Sequence, residues 1–289
     1  MIRLNTYMIE RPGYNPEQEQ LQERKGSPKR LMLAIETLVK TTSRNVEVQG
    51  REHLAEIPKD RKVIVVTSHI SDIDIPLSVK ALGYDLDIVI VNESPHHSFR
   101  QEWNTYLGLV AAGKKNFIPL DFRKNEKGEK EPLSFNPDNF KPMEEVMDQG
   151  KAVLMAAHNP SHNWRLEEGG YGPAYLAELT DAVILPVGVN VKSEKPMGMY
   201  ENQMATMKSK PDASVTIGEP FELTKIEGSE DLASIIGKMH AGERLTREQI
   251  NRLTELRKKL KEQSDKIMQR VADLVPEEKR GIYKKEEPL

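Results

Sequence analysis

The chain has 289 residues, a formal net charge of −3, a pI of about 6.2 and no cysteine. The near balance of charge excludes a nucleic-acid partner recruited by bulk electrostatics. The lack of cysteine excludes a disulfide framework, a thiolate nucleophile and a zinc–cysteine site, while the length suffices for one large domain or two small ones.

Residues 1–27 are polar and marked by Gly and Pro, which reads as an extended arm. They lack the continuous apolar region of a signal peptide. No apolar run along the chain approaches the ~20 residues needed to cross a bilayer. A cytoplasmic protein is expected, and one acting on a lipid would meet the membrane peripherally, from its inner face. Residues 28–40 carry apolar side chains at 31, 32, 35, 38 and 39, the spacing of an amphipathic helix. Such a helix either packs on the domain or lies in a membrane interface. The expected organisation is an N-terminal arm and amphipathic helix over 1–44, a core over 45–225, and a basic helical segment over 226–289 packed on that core.

From 45 to 218, short apolar runs alternate with helical patterns. Strands are expected at Asn45–Val48, Lys62–Thr67, Asp87–Val91, Asn116–Pro119, Ala152–Ala157, Ala182–Val191 and Ala213–Ile217, with helices near 75–83, 97–112, 139–149 and 170–180. The alternation predicts an α/β fold with a mostly parallel mixed sheet flanked by helices. The charged stretch 122–139 reads as a loop, and no internal repeat is evident. Residues 168–177 form a Gly-rich turn feeding a helix, which serves either to cradle an anion or to let strand and helix pack tightly. Between Lys238 and Arg270 ten Lys and Arg face five Asp and Glu, about +5. The apolar residues Leu245, Ile250, Leu253, Leu256, Leu260 and Ile267 follow helical spacing there. The segment is a packed helix with a solvated charged face, or a surface for anionic headgroups at ~1 kcal/mol per cation.

The sharpest motif is His69-Ile-Ser-Asp-Ile-Asp74, directly after the apolar run 62–67. Five positions do not share a face of a helix or a strand, so imidazole and carboxylate meet only if the chain turns between them. A strand ending near Ser68 and a helix starting near Asp74-Ile-Pro76 supply that turn. His69 then stands at a strand's carboxyl end, within reach of a carboxylate able to fix its tautomer, as in acyl-transfer chemistry. The plainer alternative is that Asp74 caps the helix and His69 is a buried, hydrogen-bonded histidine. Asp72 is a rival partner for His69. A metal site built on His69, His158, His162 and a carboxylate at 72 or 74 matches no ligand spacing, so no metal is assigned.

The segments Val46–His53 and Val63–Leu77 resemble the "V-x-G-x-E-x-L" lead-in and "N-H-x-S-x-x-D-x-P" motif of the glycerolipid (1-acylglycerol-3-phosphate, or lysophospholipid) acyltransferase family. Ala182–Gly188 is similar to its late "V-P-V" strand. Met268–Tyr283 is similar to its "L-P-E-x-x-R-G-x-Y" tail. The resemblance implies a glycerol-3-phosphate acyltransferase-like fold and a direct transfer. His69 would take the proton from an acceptor hydroxyl, Asp74 would orient it, and the oxygen would attack an acyl thioester, either acyl-CoA or acyl carrier protein. It implies no resident cofactor, a lipid acceptor, and a membrane surface as partner.

Ser68 stands where the family often has asparagine, and Ser71 matches the motif's serine. Two later blocks depart from the pattern. Leu120 or Asp121 falls where a phosphate-binding arginine is expected, with Arg123 as a substitute nearby. The "F-P-E-G-T-R-S" block reads Ala156-Ala-His-Asn-Pro-Ser-His162. His158 and Asn159 thus replace Glu and Gly, and Ser161 replaces Arg, with Arg165 a few residues on. Neither Asp nor Ser reproduces the bidentate fork of Arg, which puts a lysophosphatidic acid acceptor in question. The substrate-binding candidates are Ser68, Ser71, Arg123, His158, Asn159 and Arg165. A catalytically silent lipid- or acyl-carrier-binding protein on the same fold is the alternative.

Overall fold

Val63-Ile-Val-Val-Thr67 is buried at every position, as a strand covered on both faces must be. In the computed structural model, which describes residues 27–71, 73–82, 85–93, 116–120, 122–124, 130–135, 139–158, 163–192 and 208–284, it is the central strand β2 of a seven-stranded sheet. The others are β1 (Val46–Gln49), β3 (Ile88–Glu93), β4 (Phe117–Leu120), β7 (Ala152–Ala156), β8 (Val183–Val191) and β9 (Ala213–Ile217). Their spatial order is β1-β9-β8-β2-β7-β3-β4. The five from β8 to β4 run parallel, and β9 with β1 runs against them. This is the expected mostly parallel α/β sheet.

All seven expected strands form, with ends displaced by a residue or two. The stretch 122–139, read as a loop, differs. It contains an antiparallel pair, β5 (Phe122–Lys124) and β6 (Lys130–Phe135), with an irregular register. Its charge hid it, because a pair outside the main sheet need not show the apolar run of a buried strand. The helix expected at 97–112 lies outside the described residues.

Helix α1 (Ser27–Thr42) buries Leu31, Met32, Ile35 and Val39 and packs on α2 (Asp74–Leu82), so its apolar face is spent on the domain. Burying each large aliphatic side chain contributes roughly 1.5–3 kcal/mol. Helices α3 (Lys141–Asp148) and α4 (Gly172–Thr180) flank β7 and β8 in the chain. The C-terminal segment folds as α5 (Glu230–His240) and α6 (Arg247–Asp273). Thr246 opens α6 with a capping box: its hydroxyl accepts from Gln249 N at 3.2 Å while Gln249 Oε1 accepts from Thr246 N at 3.0 Å. Leu253, Leu256, Leu260, Ile267 and Met268 face inward against β8 and α4, whereas Ile250 is half exposed. No helix among the described residues is long and apolar enough to cross a membrane.

Candidate active site

Ligand crevices of open α/β sheets lie beyond the carboxyl ends of the strands. The chain leaves β2 there and makes a tight loop into α2. Ser68 extends the strand by one bond, its N–H donating to Val187 O at 3.1 Å. Its hydroxyl accepts from Val189 N at 3.0 Å and donates to Asp74 Oδ2 at 3.2 Å. Ile70 N donates to the same oxygen at 2.7 Å, and the Ser71 hydroxyl donates to Oδ1. Asp74 is therefore no ordinary N-cap. Its carboxylate faces back into the loop and gathers three donors from the six residues before it. The Thr67 and Ser78 hydroxyls, 2.6 Å apart, tie β2 to α2 beneath the loop.

His69 is partly exposed, but its Nδ1 is buried and has no hydrogen-bond partner among the described residues. Asp74 thus holds the loop that carries His69, and the hydrogen bond from His69 Nδ1 to the Asp74 carboxylate is not formed. The backbone N–H of His69 donates to Nε2 of His158 at 3.3 Å. An accepting Nε2 leaves the proton of a neutral His158 on Nδ1. His158 is buried just past β7 and pairs with Gly169 in an isolated antiparallel bridge.

Burial sets the charge states. It pushes the His69 pKa down to about 4, helped by repulsion from His158 and opposed by the Ser71 backbone. His69 is therefore neutral at pH 7, the form a general base requires. Burial pushes the Asp74 carboxyl up to about 6, opposed by the bonds from Ser71 and Ile70 and by the charge of Lys279. At neutral pH it is mostly ionised.

Lys279 arrives on the C-terminal tail, within the segment Met268–Tyr283. Its ammonium donates to Asn190 Oδ1 and Val191 O, both at 2.7 Å, and lies 5.3 Å over the Trp164 ring. Burial lowers its pKa, opposed by Asp74 and Glu278. Trp164 is buried at φ 55, in the left-handed region, and its indole N–H has no partner among the described residues. The tail also pins the segment after β7. Leu166 N donates to Lys279 O at 2.8 Å and Gly169 N to the Tyr283 hydroxyl at 3.1 Å. The Gly-rich turn meets α6 closely: a Cβ on Gly169 would overlap Met268 Cγ and Ser264 Oγ. Close packing, one of the two alternatives for this turn, therefore requires that glycine.

The structure thus brings together Ser68, His69, Ser71, Asp74 and His158. The Ser68 and Ser71 hydroxyls donate to Asp74, so their protons are spent within the protein. Arg165 is exposed on the segment after Trp164. Arg123 lies in β5 with its side chain outside the described residues, as are Asp72, Asp121, Asn159, Ser161 and His162. No group of three His, Cys, Asp or Glu able to hold a metal occurs among the described residues. Lys279, Trp164 and Asn190 were missed in the sequence, since no periodicity links positions so far apart. The tail motif was the available signal.

No family model matches the chain, and no curated protein sequence matches it. Among solved structures, it is similar to the 1-acyl-sn-glycerophosphate (LPA) acyltransferase PlsC from Thermotoga maritima. The TM-score is 0.45 and the identity 17%, covering 79% of this chain and 85% of that one.

Proposed function

We propose that the protein is an O-acyltransferase that moves an acyl chain from acyl-CoA or acyl carrier protein to a hydroxyl of a lysophospholipid-like acceptor. The observation that carries the reading is the neutral imidazole of His69 at the carboxyl end of the central parallel strand, on a loop tied down by the Asp74 carboxylate. The His-x-x-x-x-Asp motif and its flanking blocks support it from the sequence side. His69 takes the proton of the acceptor hydroxyl as its oxygen attacks the thioester carbonyl. The C–S bond breaks, and the thiolate leaves and takes up the proton. Asp74 contributes by fixing the loop's backbone, so that the base is in place before substrate arrives.

The membrane is met peripherally, from the cytoplasmic face in this reading. The acceptor is not gripped as a simple phosphate monoester by two arginines, because Leu120 or Asp121 and Ser161 stand at those positions. Each lost charge-assisted hydrogen bond weakens binding by roughly 1.5–3 kcal/mol. The test is thiol release from acyl-CoA and from acyl carrier protein with a panel of lysophospholipid acceptors, in wild type and His69→Ala. Turnover that survives His69→Ala unchanged overturns the mechanism. Efficient use of lysophosphatidic acid that collapses in Arg123→Ala or Arg165→Ala overturns the acceptor assignment.

A second reading is a silent lipid- or acyl-carrier-binding protein. The observation favouring it is the buried Nδ1 of His69, which has no hydrogen-bond partner among the described residues. It requires saturable binding of donor or lipid with no thiol release.

A further inference from the structure

Three elements that are distant in sequence are linked in series to the Asp74 carboxylate, through Ser68 and the end of β8. The first is the 68–74 loop itself. The second is the carboxyl end of β8, where Val189 N donates to the Ser68 hydroxyl. One residue on, Asn190 Oδ1 and Val191 O accept the Lys279 ammonium. The third is the tail, locked by the Leu166 N to Lys279 O bond and by Gly281 at φ 55, where a Cβ would overlap Leu166 O. An ammonium is thus delivered to a strand end that also carries a direct bond to the Asp74 network. Both of its acceptors there are uncharged, so they satisfy its hydrogen bonds without neutralising it.

We propose that Lys279 is the positioning cation of this site, the counter-charge that keeps the Asp74 carboxylate ionised and so keeps the loop carrying His69 in its bonded form. Asp74 is 1% exposed, and a carboxylate so deeply placed needs a partner charge as well as donors. The surrounding strands supply none: β2, β8 and β9 contain no ionisable residue. Helix α1, packed on α2, carries Lys29, Arg30, Glu36 and Lys40, all at positions that face at least partly outward. Among the described residues, the other charged or titratable groups that bear on the cluster are His69 on the loop, His158 past β7, and Glu278 beside Lys279. The electrostatic coupling of Lys279 to Asp74 agrees with this placement. The charge pairing does not depend on the acyl-transfer reading; only its consequence for catalysis rests on it.

The experiment is a carboxyl 13C NMR titration of Asp-labelled full-length protein, with the Asp74 resonance assigned through Asp74→Asn. In Lys279→Met the Asp74 midpoint moves to higher pH by about one unit, a tenfold loss of ionised carboxylate at pH values below the wild-type midpoint. In Lys279→Arg it stays near the wild-type value. If Lys279→Met does not fold, Asn190→Ala removes one of the ammonium's acceptors while leaving the tail sequence intact, and the midpoint must again rise. An Asp74 midpoint unchanged in a folded variant overturns the proposal, whatever the fate of the acyl-transfer reading. Where thiol release is measurable, the acid limb of its pH profile rises with the midpoint in Lys279→Met and is restored in Lys279→Arg. A limb that stays put while the midpoint moves removes Asp74 ionisation from catalysis.

Discussion

The chain leaves the central strands β2 and β7 side by side at the carboxyl end of the parallel strands, and the two exits are held in different ways. The exit of β2 closes on itself: Asp74 accepts from Ser68, Ile70 and Ser71, all within six residues. The exit of β7 is held from far along the chain, by Ser264 on Gly170 O at 3.0 Å, Tyr283 on Gly169 N, and Lys279 O on Leu166 N. A self-closing loop keeps its shape when distant packing loosens, whereas a segment pinned by a terminal tail shares the tail's stability. The base is carried on the first kind of exit, and the buried imidazole that braces its backbone, His158, on the second.

The largest expected effect tests the self-closed exit. His69→Ala lowers thiol release by ~10²–10⁴-fold while leaving the melting temperature within a few degrees, because it removes the base and none of the Asp74 bonds. Unchanged melting with unchanged turnover would show that this exit carries no chemistry.

The second effect separates the two buried titrating groups of that exit through stability against pH. The folded pKa of Asp74, raised from 3.8 to about 6, means that its contribution falls as pH rises from about 4 to about 6. That of His69, lowered from 6.5 to about 4, means that its contribution falls as pH drops through the window from about 6.5 to about 4. The two slopes oppose each other, each worth up to about 3 kcal/mol across the window. Denaturant titrations of Asp74→Asn should therefore show stability rising with pH more steeply than in wild type, and those of His69→Ala the reverse. Parallel curves in the two variants would contradict these charge states.

The third effect tests the exit held from outside. Gly281→Ala places a Cβ against Leu166 O at φ 55, so the tail must shift, at ~2 kcal/mol or more. Amide exchange should accelerate most at Leu166 and Gly169 and less at Ile70, whose bond to Asp74 stays within the loop. Equal acceleration at Ile70 would mean that the two exits are not independent. The smallest effect is Tyr283→Phe, which removes the acceptor of Gly169 N and costs ~1 kcal/mol in chemical denaturation.

The order of elements was legible because buried parallel strands write themselves as apolar runs and the helices between them carry their own period. Lys62–Thr67 and Ala182–Val191 were read nearly to the residue. The β5–β6 pair was not, since charge and Gly/Pro content carry no strand signature. In the site, the turn between Ser68 and Asp74 was legible from Asp-x-Pro after an apolar run. The partner of that carboxylate was not: spacing allowed the imidazole, and the folded loop gives it two hydroxyls and an amide instead. His158 entered the reading as a departure from a motif, and only folding brought its Nε2 to the backbone of His69.

By itself the sequence determined the alternating α/β architecture, the strand-end position of His69 and the helix start at Asp74, because each depends on residues within a turn or two along the chain. Only the tertiary structure decided which groups the Asp74 carboxylate binds and that Lys279, more than two hundred positions away, docks its ammonium on Asn190 and Val191 at the end of the neighbouring strand. Burial and long-range charge pairing are set by what packs on a residue from elsewhere in the fold, and local spacing carries no record of that.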